Sequence, residues 1–212
     1  MSKPVILLGG GGHARVLLDM LRRLEIEILG MADPHRLPGS EHFGVKILGD
    51  DSAIRAYAAN DIALVNGIGS LPRGAGLRGN LYEQFVKQGY VFQTLVDPRA
   101  FTAGGVQLAQ GVQVMAGAII QAGTKIAENC IVNSGAIVEH DCRIGRDVHI
   151  APGAVLSGGV ELGNNVHIGT GATIIQGLRI GSGSVVGAGS VVTRDIGCKQ
   201  IVYPPRSHIQ DL

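Results

Sequence analysis

The chain has 212 residues, a formal net charge of +1, 33 glycines and no tryptophan. That length admits one or two domains with real cores, and the mixed charge offers no basic field for nucleic acid. No apolar run approaches the ~18 residues needed to span a bilayer and the first residues do not form a signal peptide, so a cytoplasmic protein without membrane insertion is expected.

In chain order, Pro4-Val5-Ile6-Leu7-Leu8 reads as a buried strand. It is followed by Gly9-Gly10-Gly11-Gly12-His13-Ala14. From Arg15 to Leu24, apolar residues at Val16, Leu17, Met20, Leu21 and Leu24 have helical spacing. A second strand over Glu25 to Ala32 ends at Asp33. Strand, Gly-rich turn, helix, strand and acid match the dinucleotide fingerprint. Glycines let the backbone approach a pyrophosphate, and the helix start offers unpaired N–H groups. Later strands are expected at Val45 to Leu48, Ala63 to Ile68 and Val91 to Val96, with a helix from Leu77 to Gln88. A Rossmann-like domain over residues 1–100 is thus expected. It is too short for two mononucleotide halves and suits one nucleotide. Ile68-Gly69-Ser70 would add a second loop at the carboxyl edge of the sheet, and Arg73 to Gly76 a loop beside it.

From Leu108 the pattern changes. Every sixth residue through Val114, Ile120, Ile126 and on to Val192 is Ile, Leu or Val. Two positions earlier lies a second column, mostly small or apolar, that includes Cys130 and Cys142. An α-helix of 3.6 residues per turn cannot hold a six-residue repeat on one face, but a coil with three flat faces can. A left-handed parallel β-helix over residues 101–193, with about five coils, and a C-terminal tail over 194–212 are expected. Pro204-Pro205 would stop a strand, so the tail would lie along the outside. Cys130 and Cys142 read as core thiols whose spacing fits no zinc site, and no metal is expected.

With the prism filled by aliphatic side chains, chemistry belongs on its outside. Its exposed flat faces imply association, and a homotrimer with clefts between subunits is expected. Histidines fall at His140, His149, His167 and His208. His149 and His167 are one coil apart and stack. His140 is half a coil from His149, so the two could meet only across subunits. Val138-Glu139-His140-Asp141-Cys142 puts two carboxylates beside one imidazole, which is what a general base requires; either Glu139 or Asp141 could hold it.

These segments resemble the bacterial nucleotide-amino-sugar N-acetyltransferases, such as the bacillosamine-pathway acetyltransferase, and the related sialic acid O-acetyltransferases. The resemblance is carried by Gly-Gly-Gly-Gly-His-Ala, by Asn133-Ser134-Gly135-Ala136-Ile137-Val138-Glu139-His140-Asp141-Cys142 and by His149-Ile150-Ala151-Pro152-Gly153-Ala154. It implies an acetyl-CoA-dependent enzyme acting on the amine of a UDP-linked amino sugar. His140 then matches the catalytic base and Asp141 the acid that orients it. His149 matches a contact to the acetyl donor from the adjacent subunit, and Gly158 a backbone N–H facing the thioester oxygen. Thr170 and Ala188 match the pantetheine channel. Gly10, Gly12, His13 and Asp33 match the region that holds the uridine diphosphate. Relatives often have Glu at position 141, and the tail Val202-Tyr203-Pro204-Pro205-Arg206 departs from the family's Gly-Val-Pro-Ala-Lys. The competing readings are a sugar O-acetyltransferase and a nucleotide- or NAD-binding protein using the prism as a trimerisation scaffold.

Overall fold

The structure, a computed structural model, describes residues 3–70, 72 and 76–204. It divides into two compact units. One contains the described residues up to Pro98 together with Ala109–Gln113; the other contains Arg99–Leu108 and the described residues from Val114 onward.

The first unit is built from β1 (Val5–Leu8), α1 (Gly12–Arg23), β2 (Ile28–Ala32), β3 (Glu41–His42), β4 (Val45–Gly49), β5 (Ala63–Asn66) and α2 (Leu77–Lys87). The sheet order is β3-β4-β2-β1-β5, parallel except for the β3–β4 hairpin. β1 pairs on both edges and is buried on both faces, which is why it reads as an unbroken apolar run. α1 buries Ala14, Leu17, Leu18, Met20 and Leu21, the stripe its spacing implies. It begins at Gly12 rather than Arg15, so the glycine turn itself supplies the first helical residue. The expected strand over 91–96 shrinks to a bridge from Phe92 to Leu64 and the pair Leu95–Val96. The β3–β4 hairpin and a 3₁₀ turn over Asp51–Ala56 carry no hydrophobic period and could not be read from the sequence.

The second unit is the expected parallel β-helix. Its strands are two residues long and pair with strands eighteen residues away, as in Ile119↔Ile137, Lys125↔Arg143 and Ile131↔His149. Short strands follow from the hexad: two residues lie flat on each face and four turn the corner. Val114, Val132, Ile150, Ile168 and Val186 stack inside one face, all at 0% exposure, and the small column fills the corners with Ala118, Ala136, Ala154 and Ala172. Cys130 and Cys142 are buried thiols in that column.

The three faces differ in what they turn outward. One presents Lys125, Arg143, Glu161 and Arg179. The second presents Phe101, Ile119, Ile137, Val155, Thr173 and Val191. The third presents Ile131, His149, His167 and Val185.

The coil continues past the expected boundary at residue 193. Ile196 bridges Ile180, and Ile201–Val202 pairs in parallel with Val185–Val186. The spacing has shortened from eighteen to sixteen there, which removes these residues from the hexad count without removing their ladder bonds. Arg206 and His208 lie outside the described residues, as does most of the loop at 73–76.

Candidate active site

The corner between the apolar and charged faces carries His140 and Asp141. His140 Nδ1 lies 2.9 Å from Asp141 Oδ2, and both side chains are exposed. Of the two carboxylates in the segment, Asp141 is the one that pairs with the imidazole. An ionised carboxylate can only accept, so Nδ1 carries the proton and Nε2 keeps its lone pair for a substrate proton.

The backbone at this corner follows the rule of the coil, in which one residue per corner turns left-handed, as Asn129, Asp147 and Asn165 also do. Positions 123, 141, 159 and 177 follow one another at eighteen-residue intervals, and all have positive φ. Three are glycine; Asp141 holds the same left-handed conformation, at φ 60°, with a side chain. Aspartate tolerates this conformation better than most residues, at a cost of order 1 kcal/mol or more.

Glycines one coil away on either side leave room for the pair. A Cβ built on Gly123 would lie 2.3 Å from Asp141 Oδ1. A Cβ on Gly158 would lie 2.4 Å from His140 Nε2. Gly158 is buried, and its φ is outside the left-handed region, so the imidazole rather than the turn requires glycine here.

The corner is also fastened from inside. Thr124 is fully buried one coil before Cys142. Its hydroxyl donates to the Glu139 carbonyl at 2.8 Å and accepts the Cys142 N–H at 3.2 Å. These two bonds flank His140 and Asp141 in the chain. Ser184 makes the same clamp at another corner, between the Gly197 carbonyl and the Gln200 N–H. Thr124 and Gly123 were missed in the sequence; subtracting eighteen from the dyad positions would have found them.

His149 stands on the third face, apart from His140 within one chain. It is 9% exposed, its Nε2 lies 3.1 Å from Asn133 Nδ2, and its ring meets that of His167 edge-on at 4.9 Å. Burial pushes the His167 imidazole below its usual pKa, and its buried Nδ1 has no hydrogen-bond partner among the described residues. Thr170 and Ala188 are exposed at successive levels of a further corner. The site residues of the second unit thus form three groups: His140, Asp141 and Gly158; His149 with its column; and Thr170 with Ala188.

In the first unit a cavity of about 330 Å³ opens at the carboxyl edge of the sheet, lined by Gly9, Gly10, Gly11, Asp33, Ile68 and residues around them. Asp33 is 7% exposed. Its Oδ2 accepts the Gly10 N–H at 2.8 Å, its Oδ1 accepts the His35 N–H at 2.9 Å, and Arg36 Nε lies 3.3 Å away. A Cβ on Gly10 would lie within 2.8 Å of Asp33, Arg36 and Met31, so the chain itself demands that glycine. A Cβ on Gly11 or Gly12 would meet no protein atom within 4 Å. Those two glycines leave open space at the start of α1, whose N-cap, Gly11, makes no side-chain capping bond. A helix start free of side chains fits a phosphate group. Gly12 and His13 do not line the cavity. His13 Nε2 instead meets Gln113 Oε1 at 2.8 Å, and Gln113 Nε2 donates to the Asn66 carbonyl.

Among the described residues no group of three or more His, Cys, Asp or Glu could hold a metal ion, and no helix is long and apolar enough to cross a membrane.

An imidazole paired with a carboxylate on the outside of a hexapeptide β-helix can serve as a general base, as an acyl transfer to an amine or hydroxyl requires. Comparison with known proteins agrees. The PglD N-terminal domain matches residues 4–83, and the bacterial transferase hexapeptide (six repeats) matches 123–158 and 159–194. No curated protein matches. Among solved structures, PerB from Caulobacter crescentus, in complex with CoA and GDP-perosamine, is 35% identical, with 93% of this chain and 92% of that chain covered and a TM-score of 0.85. The acetyltransferase domain of PglB from Neisseria gonorrhoeae, in complex with acetyl coenzyme A, is 31% identical over 95% of this chain and 96% of that one, with a TM-score of 0.87. WeeI from Acinetobacter baumannii AYE shares the fold, at 23% identity and a TM-score of 0.84. The chain belongs to the sugar N-acyltransferases of the hexapeptide family, and it is an acetyltransferase.

Proposed function

We propose that the protein transfers the acetyl group of acetyl-CoA to the amino group of a nucleotide-linked amino sugar, with His140 as general base. The observation that carries this is the His140–Asp141 pair between Gly123 and Gly158: an oriented imidazole whose Nε2 faces a position kept clear of side chains. Support for the substrate class comes from the relatives. One is a perosamine N-acetyltransferase seen with CoA and GDP-perosamine, and another is an acetyltransferase domain seen with acetyl coenzyme A. The family resemblance suggests a UDP sugar, while the 35% identical relative suggests a GDP sugar.

Acetyl-CoA, as co-substrate, brings an activated thioester. Asp141 holds the His140 tautomer. Nε2 takes the proton from the sugar nitrogen as that nitrogen attacks the acetyl carbon, the C–S bond breaks, and the proton passes from His140 to the departing sulfur so that CoA leaves as the thiol. Base catalysis of this kind contributes about 10²–10⁴-fold. The Gly158 N–H is the candidate donor to the carbonyl oxygen, an interaction worth about 3 kcal/mol where it has been removed from other enzymes. Gly11 and Gly12 would receive the diphosphate at the start of α1.

The working form is proposed to be a homotrimer. One face of the prism turns a column of Phe101, Ile119, Ile137, Val155 and Val191 outward, with Phe101 53% and Val191 63% exposed. Packing that face against a neighbour's histidine-bearing face would cover it and bring the neighbour's His149 to the corner that holds His140. Thr170 and Ala188 would then line the pantetheine arm.

The test is His140→Ala in a thiol-release assay with acetyl-CoA and a panel of GDP-, UDP- and dTDP-linked amino sugars. The expected result is a kcat at least about 10²-fold lower with sugar KM little changed. Turnover near that of the unaltered enzyme would end the assignment.

A further inference from the structure

We propose that Asp51, rather than Asp33, is the carboxylate that binds the nucleoside of the substrate. The inference rests on the nucleotide-sugar reading above.

In the strand–turn–helix–strand fingerprint, the acid at the end of the second strand is the one expected to hold a ribose. Here that acid is Asp33, and both its oxygens are engaged within the chain by Gly10, His35 and Arg36. Its bonds tie the glycine turn to the end of β2, which makes it a structural clamp.

Asp51 lines the same cavity, one loop further along the sheet edge, after β4. It is partly buried. No hydrogen bond or ion pair reaches its carboxylate from the described residues. It opens the 3₁₀ turn but does not cap it; Asp50 does, through the Ser52 N–H. Burial and the nearby charges of Asp50 and Asp33 push its pKa up, so the chain gives the ionised form nothing in return. A partly buried carboxylate that no protein donor reaches leaves its lone pairs to water, or to a ligand that brings its own donors into the cavity.

The rest of the cavity says what kind of ligand. Pro34, Ile68, Leu77 and Leu81 give it apolar walls, which suit the flat faces of a nucleobase. An ionised carboxylate is acceptor-only and takes two donors side by side. A nucleoside offers such a pair in two places: the ribose 2′,3′-diol, and N1–H with the exocyclic amine of guanine. Uracil shows a single N–H between two carbonyls.

The experiment is calorimetric titration of the full chain with GDP, IDP, 2′,3′-dideoxy-GDP and UDP, for the unaltered protein, Asp51→Asn and Asp51→Ala. Loss of the charged acceptor should weaken GDP by about 10- to 100-fold. The melting temperature should hold or rise, because an unpaired charge has been removed. If the base edge is the partner, IDP binds the unaltered protein as weakly as GDP binds the variants. If the ribose is the partner, dideoxy-GDP does so. Either pattern supports the proposal. GDP affinity within twofold in both variants overturns it, as do IDP and dideoxy-GDP binding the unaltered protein as tightly as GDP. Failure of the unaltered protein to bind GDP, UDP and, titrated as a further arm, dTDP strikes the nucleotide-sugar reading itself, and that set of titrations tells the two failures apart.

Discussion

Gly158→Ala tests the geometry of the corner most directly. The added methyl carbon would stand 2.4 Å from His140 Nε2, where ordinary contact needs roughly 3.5 Å. The imidazole must therefore move by about 1 Å. It can do so, because the His140 side chain is 56% exposed and can swing toward solvent. The fold should lose little, under about 1 kcal/mol, since the backbone at 158 accepts a Cβ and the ring yields rather than the coil. Catalysis should lose much more. A misplacement of 1 Å in a reacting group can cost about 10²-fold, and the swing also pulls Nδ1 from Asp141. Thiol release under saturating acetyl-CoA and sugar, beside a thermal melt of the same preparation, separates the two effects. A kcat within threefold of the unaltered enzyme would refute the idea that Gly158 exists to seat the imidazole. A large drop in melting temperature with kcat preserved would make it a coil-closing glycine instead.

Thr124→Val removes the hydroxyl that joins the Glu139 carbonyl to the Cys142 N–H, leaving buried polar groups unpaired at about 1–3 kcal/mol. The melting temperature and kcat should both fall, with Thr124→Ser restoring both; Ser184→Ala, which breaks the equivalent clamp away from His140, should cost stability while leaving kcat in place. His167 gives a pH signature. Its folded pKa lies below the ordinary value, so the folded state binds fewer protons, and stability should decline as pH falls from about 6.5 toward the lowered pKa. Melts between pH 5 and 7.5 should show that decline, and His167→Phe should flatten it. The glycine turn divides by residue. Gly10→Ala would drive a Cβ into Asp33, Arg36 and Met31 and destabilise by about 1–3 kcal/mol. Gly11→Ala should cost at most about 1 kcal/mol, since its Cβ meets no protein atom and its φ suits any residue, yet lose nucleotide affinity, measured by titration, because Gly11 lines the cavity and the methyl would enter it.

The parallel β-helix was legible because its contacts repeat. Each residue stacks on one eighteen positions away, so the same requirement, a branched aliphatic pointing inward, recurs along the chain as the column from Leu108 to Val192. The glycine turn and the apolar β1 were legible for a similar reason: local geometry writes itself into adjacent residues. His140 and Asp141 are neighbours in the chain, and their pairing needed only one turn. The ending of the coil was not legible, because Ile201–Val202 keeps its ladder bonds at a shortened spacing that no six-residue count detects.

What tertiary structure alone decided is how each polar atom is used. Asp33 and Asp51 look alike in the sequence as acids near strand ends, yet one accepts from Gly10 and His35 while the other accepts from none of the described residues. Thr124 reads as a small inward residue until its hydroxyl is seen bridging two backbone groups around the dyad. Composition and period determine which residues lie inside and how the chain coils, since burial depends on side-chain type repeated at fixed intervals. Which donor meets which acceptor depends on angles and distances between segments far apart in the chain, and these exist only once the sheet edge and the coils have been assembled.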